Sequence, residues 1–206
     1  MLVFAKTPVP GEVKTRLIPA LGAAGAAALH ERLVARALAT AAAAGVGRVE
    51  LCCAPDAAHP VLVELARAHG ATLAVQGPGD LGDRMRAAFE RALAGAPAAI
   101  VIGGDCPALA PRHLREAAAT LAGGDDAVLA PAEDGGYVLI GLTHASDSLF
   151  DGIEWGGPTV MAQTRERLAA LGWWWRELET LWDVDRPEDV ARLREIAGGA
   201  GLVDGP

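Results

Sequence analysis

The chain has 206 residues, is 51% hydrophobic and carries a formal net charge of −8 at pH 7. That is enough apolar material for one well-filled core, which excludes a disordered chain, and the acidic balance argues against nucleic acid or an anionic membrane as partner, since both demand a basic face. No run reaches transmembrane length and no basic segment precedes an apolar one at the start, so a cytoplasmic protein without a signal peptide is expected.

In chain order, an apolar strand over 2–5 leads through a Pro- and Gly-containing segment to an Ala-rich helix over 25–44, which Gly45 ends. A strand over 48–53, a helix over 60–69, a strand over 72–76 and a helix over 81–94 follow. The continuous apolar strand 98–102 precedes a helix over 111–122. Then come strand 127–131, a tight turn at 133–136 and strand 137–142. A helix over 159–171, a Trp-rich strand from 173 and a helix over 187–197 complete the pattern, with 198–206 expected to be a frayed, flexible tail. This alternation predicts a single α/β domain over 1–197, its mostly parallel sheet covered by helices on both faces.

Three cysteines without C-x-x-C or zinc-type spacing make neither a disulfide framework nor a metal site. Cys52 and Cys53, adjacent on a strand, should point to opposite faces as small buried apolar groups. Cys106 has no histidine close in sequence to activate it and is not read as a nucleophile. Trp173 and Trp175 should share one face of their strand and Trp174 take the other, which core packing or a homodimer interface explains.

The candidate chemistry gathers in turns beyond the strand ends, the side on which open α/β sheets bind ligands. Lys6 follows the first strand, Gly77 to Asp80 the third, Asp105 the fourth, Asp134 the fifth, and Asp183 and Asp185 the last. Asp105, delivered by the strand before Gly103 and Gly104, either holds a divalent cation or caps a turn ahead of the next helix, and that stretch alone leaves both open. Carboxylates gathered without His or Cys, opposite Lys6, Lys14 and Arg16, match a diphosphate bound with magnesium or manganese. The residue before Lys14 is Val13, where a Walker loop needs glycine, so ATP hydrolysis of that kind is disfavoured. Gly77, Gly79 and Gly82 spell G-x-G-x-x-G, with Asp105 near the distance of a ribose-binding acid, which would suit an NAD-dependent oxidoreductase. Against it, Pro78 removes a backbone donor and Asp80 puts negative charge where the pyrophosphate would rest.

Five motifs in order, FAKTPVPGEVKTRL, QGPGDLGDRM, IGGDCPAL, APAEDGGYVLIGL and LWDVDRPEDV, resemble the rSAM/selenodomain-associated transferases, or arsenosugar-biosynthesis-type glycosyltransferases. These are similar to phospholactate and molybdenum-cofactor guanylyltransferases, in the nucleotide-diphospho-sugar transferase superfamily of Rossmann-like GT-A fold. The resemblance covers almost the whole chain. It implies that Lys6, Gly11, Lys14 and Arg16 hold the nucleotide's phosphates, and that Asp105 binds magnesium or manganese with Asp185, Asp183 being the next choice. It further implies that Asp80, Gly82 and Arg84 meet the base, ribose or transferred group, and that Asp134, Gly135 and Gly136 lie under the acceptor or sugar. In the resulting mechanism Lys14 and Arg16 stabilise the developing charge and Asp134 orients or deprotonates a small-molecule acceptor. The donor is a nucleotide-diphospho-sugar, with nucleotidyl transfer from a triphosphate, releasing pyrophosphate, as the alternative.

Overall fold

The computed structural model describes residues 1–196 and 198–204. Its centre is a seven-stranded sheet in the order β3-β2-β1-β4-β6-β5-β7. The strands are β1 (Leu2–Lys6), β2 (Glu50–Ala54), β3 (Thr72–Val75), β4 (Ala99–Gly103), β5 (Ala127–Pro131), β6 (Tyr137–Leu142) and β7 (Trp175–Glu177). Strand β6 runs antiparallel to both neighbours, β4 and β5, and every other pairing is parallel. The α/β architecture expected from the alternation is therefore present.

Side chains alternating along the strands feed two layers. Val3, Ala5, Cys53 and Ile102 pack with Val34 and Leu38 of α1 (Ile18–Ala44), Leu62 of α2 (Pro60–Ala68) and Leu114 of α4 (Pro111–Ala122). Leu2, Phe4, Cys52 and Val101 pack on the other face with Phe89 of α3 (Leu81–Leu93), Phe150 of α5 (Asp147–Phe150) and Leu168 of α6 (Val160–Leu171). Cys52 and Cys53 thus serve opposite faces as buried free thiols. Phe89 is fully buried and stacks on Phe150 with ring centroids 6.0 Å apart, a burial worth roughly 2–3 kcal/mol. A third cluster joins Leu17, Leu29 and Leu33 to Trp182, Val184 and to Val190 and Leu193 of α7 (Pro187–Glu195), clamping the late acidic segment against the first helix.

The elements depart from expectation in a few places. Helix α1 starts at Ile18 but is broken at Gly22 (φ +70°, ψ 165°), so the regular helix begins near the expected Gly25. The Trp-rich strand begins at Trp175 instead of Trp173, because the Trp173 N–H closes α6 on Leu168 O and the Trp174 N–H is taken by the Asp126 carboxylate. Trp173 and Trp175 pack on the second layer while Trp174 stays 77% exposed, the alternation expected of them. Where a frayed tail was expected, α8 (Gly199–Asp204) forms, and Arg32 of α1 donates to the carbonyls of Leu202 and Val203. Ala197, the expected end of α7, and residues 205–206 lie outside the described residues. Among the described residues no helix is long and apolar enough to cross a membrane.

Candidate functional site

Strands β1 and β4 are parallel neighbours, yet their chain connections leave toward opposite edges of the sheet. Their carboxyl ends therefore flank a crevice, the place where doubly wound sheets bind ligands. The segment 7–17 after β1 forms one wall. It is pinned by buried Val13 and Leu17, turned at Gly11 (φ +89°), and closed by the Leu17 N–H donating to Lys14 O at 2.8 Å. Lys14 itself is left-handed (φ 47°, ψ 42°), the only non-glycine residue with positive φ among those described. Such strain, costing about 1–3 kcal/mol, persists where surroundings fix it and is commonest at functional sites.

What fixes Lys14 is Asp105. The ammonium donates to Asp105 Oδ2 at 2.9 Å, with the lysine side chain 8% exposed and the aspartate 38%. Arg16 pairs in the same way with Asp185. The Val184 N–H donates to Asp105 O at 3.0 Å, which draws the 183–185 segment onto the turn after β4. The structure thus brings Lys14, Arg16, Asp105, Asp183 and Asp185 together from three distant parts of the chain.

The charges are mutually dependent. Burial alone would raise the Asp105 carboxyl, but the charge and hydrogen bond of Lys14, helped by His30, hold it below the ordinary carboxylate range. Burial likewise opposes the Lys14 charge, and Asp105, then Asp185 and Asp183, more than restore it. Asp183 has no cation of its own among the described residues. Burial, then the neighbouring charges of Asp105 and Asp134, push it up to about 6.

The crevice opens into two connected lobes of about 580 and 520 Å³. The larger is lined by Lys14, Arg16, Gly104, Asp105, Asp185, Leu81 and Trp155, the smaller by Thr7, Pro55, Gly77 and Pro78; Lys6, Glu12, Gln76 and Arg84 border both. His30, Gln76 and Trp155 also line the crevice and are not singled out in the sequence, Gln76 doing no more there than open the QGPGDLGDRM motif. Burial lowers the pKa of His30; it donates Nε2–H to Lys6 O at 2.9 Å, while Nδ1 is buried without a partner among the described residues. Gln76 donates Nε2–H to Cys52 O (2.8 Å) and Ala5 O (3.3 Å), which orients its amide at the lobe boundary. Trp155 lies so close to Gly82 that a Cβ there would sit 2.7 Å from its ring nitrogen.

Other residues singled out in the sequence have local tasks. Asp80 caps α3, accepting from the Asp83 N–H at 2.9 Å in a reciprocal capping box, and does not line the crevice. Gly82 makes room for Trp155. Arg84 does face both lobes, steadied by its Nε–H on Gly79 O at 3.1 Å. Gly103 and Gly104 leave space filled by the Asp105 carboxylate and by Val34. Asp134 lies near Asp183 but accepts the Gly136 N–H at 2.9 Å, and Gly135 (φ +91°) packs on the Pro158 carbonyl; none of the three lines the crevice. Burial pushes the Cys106 thiol up to about 12, which leaves it un-ionised. The G-x-G-x-x-G segment follows β3, an edge strand, and the α3 N-terminus it would offer a pyrophosphate already holds the Asp80 carboxylate.

The acids suit a hard cation in a limited way. Among the described residues no three His, Cys, Asp or Glu side chains converge closely enough to form a ligand cage. Burial and the neighbouring charges of Asp105 and Asp134, which together lift Asp183, still mark hard oxygen donors close to one another, and magnesium is commonly held by one or two carboxylates together with phosphate oxygens.

Solved structures share this architecture. A protein of Desulfovibrio desulfuricans G20, provisionally designated a nucleotide-diphospho-sugar transferase, superposes with a TM-score of 0.84 at 29% identity, over 98% of this chain and 92% of that one. A CMP:2-keto-3-deoxy-manno-octonic acid synthetase complexed with CTP gives 0.56 at 15% identity, over 94% and 95%. A Methanothermobacter nucleotidyl transferase gives 0.54 at 17%, over 94% and 95%. At such identities the last two show the fold alone. No curated protein matches the chain. The family described as "uncharacterized protein conserved in bacteria (DUF2064)" matches residues 37–157, more than half of the sequence and including β4 and Asp105, and the chain belongs to that family.

Proposed function

We propose that the protein is a transferase that binds a nucleotide diphosphate between the 7–17 segment and the acids after β4, and moves a glycosyl group from a nucleotide-diphospho-sugar to a small acceptor. The observation that supports it most directly is the Lys14–Asp105 pair at the crevice between β1 and β4, where cations and hard oxygen donors meet. The likeness to the Desulfovibrio protein favours the sugar donor.

In this reading Lys6, Lys14 and Arg16 hold the diphosphate oxygens, with Gly11 shaping their loop, and Lys14 and Arg16 stabilise the charge that grows on the leaving phosphate. Asp105 and Asp185, with Asp183 behind them, hold magnesium or manganese, which when bound supplies further positive charge to the diphosphate. Arg84, facing both lobes, contacts the ribose or transferred group. Asp134 receives the acceptor's hydroxyl proton through the carboxylate oxygen that Gly136 does not engage.

One observation favours a second reading, nucleotidyl transfer from a triphosphate: Asp134 is tied into its own turn and stands outside the crevice lining. A phosphate acceptor is already ionised and needs cations more than a base. Labelled nucleotide sugars and nucleoside triphosphates, offered with a mixed acceptor pool, separate the two. Release of nucleoside diphosphate, with Asp134→Asn lowering turnover by roughly 10² and leaving nucleotide affinity unchanged, is expected for sugar transfer. Pyrophosphate release with near-normal Asp134→Asn activity would refute it in favour of nucleotidyl transfer.

A further inference from the structure

Two of the crevice's cations and two of its carboxylates satisfy one another. Lys14 occupies a lone pair of Asp105, and Arg16 one of Asp185. The two pairs are strung across the crevice from the 7–17 segment to the turns at 105 and 185, and both line the larger lobe. Lys6 and Arg84 line the same lobe without any carboxylate partner among the described residues, Arg84 holding only a backbone carbonyl. The lobe therefore contains two kinds of cation, one kind free to meet an anion and the other already neutralised.

We propose that the Lys14–Asp105 and Arg16–Asp185 pairs close the ligand-free site, so that divalent cation and diphosphate bind weakly alone and strongly together. Asp105 and Asp185 let go of Lys14 and Arg16 once they ligate a cation, and Lys14 and Arg16 let go of the carboxylates once they hold phosphate. Each ligand thereby removes the internal competitor of the other. Such coupling is reciprocal, and values of roughly 5- to 150-fold are usual between linked sites. The inference rests on the proposed diphosphate and metal roles, and adds to them an order of exchange that the ion pairs impose.

The exchange predicts gains of affinity from removing binding residues, which a merely additive site would not show. Manganese alone, followed by paramagnetic resonance of the free ion, should bind Lys14→Met and Arg16→Met about tenfold more tightly than wild type. Inorganic pyrophosphate alone, titrated calorimetrically in EDTA, should bind Asp105→Asn and Asp185→Asn more tightly by a similar factor. Lys6→Met provides the control, because it removes a charge from the same lobe but breaks no pair; its manganese affinity should change by less than about twofold. Arg16 is 65% exposed, so its variant retains the fold even where Lys14→Met does not. Equal gains in Lys6→Met and the paired variants would reduce the effect to general electrostatics and overturn the proposal, as would unchanged affinities in the paired variants. Failure of both probes to bind wild type and every variant would instead remove the diphosphate and metal roles themselves.

Discussion

The segment after β1 and the turn after β5 both follow strands and both carry polar residues beside glycine, yet they are built for different ends. In the first, Lys14 and Arg16 reach across the crevice to acids more than 90 positions away, and the strained backbone at Lys14 is held by that contact. In the second, the Asp134 carboxylate accepts from Gly136 two residues on, and Gly135 is fitted to Pro158. Position at a strand end is therefore insufficient to identify a contact with the nucleotide. What separates the two is whether the polar groups are satisfied by their own turn or left to face the crevice.

The sharpest way to break this comparison is Gly135→Ala. A Cβ at that position would lie 2.0 Å from the Pro158 carbonyl oxygen on a backbone already at φ +91°, so the substitution should cost about 3 kcal/mol of stability in urea denaturation. Nucleotide affinity of the folded protein should be unchanged. A variant of normal stability that fails to bind nucleotide would place this turn at the nucleotide instead.

Lys14→Met probes the other region. Loss of a charge-assisted contact to the diphosphate should weaken nucleotide binding in the presence of magnesium by roughly 10- to 100-fold, or about 1.4–2.7 kcal/mol. Calorimetry on the variant and wild type checks it. A loss of melting temperature with intact nucleotide affinity would show that the Lys14–Asp105 pair is a brace and not a ligand contact.

The sheet, most helix limits and the strand-end location of the charges were legible in the sequence because apolar runs, Pro and Gly mark them locally: α4, β5 and β6 fall on the expected residues. The antiparallel insertion of β6 between β4 and β5 and the packing of α8 depend on distant partners and were not. Within the site, Lys14, Asp105 and Asp185 stood out as charges in turns. His30 and Trp155 did not, since a histidine within an Ala-rich helix and a tryptophan in a loop carry no spacing that marks them, and Gln76 opens the QGPGDLGDRM motif with no charge to single it out. Gly82 and Gly135 were misleading in the opposite sense, because a glycine making room for a side chain or carbonyl reads the same as one making room for a ligand.

The smallest expected effect sets two neighbouring acids against each other. Asp105 is held below its ordinary range by Lys14, so its contribution to stability is present above the unfolded carboxylate pKa and is lost as pH falls through its lower folded value. Asp183 has the opposite sign. Its folded value of about 6 stands above the ordinary 3.8, so its favourable contribution is complete below that ordinary value and disappears as pH rises through 6; above it, the folded state bears an uncompensated carboxylate. Asp183→Asn should therefore stabilise the ligand-free protein by about 1–2 kcal/mol at pH 7–8, a figure reduced from the full shift because the side chain is only partly buried, and should be neutral near pH 4. Urea denaturation at the two pH values, without added metal, measures the difference. Equal effects at both would mean that Asp183 ionises in the folded protein as freely as in the unfolded chain, and that the acids around Asp105 do not share one electrostatic site.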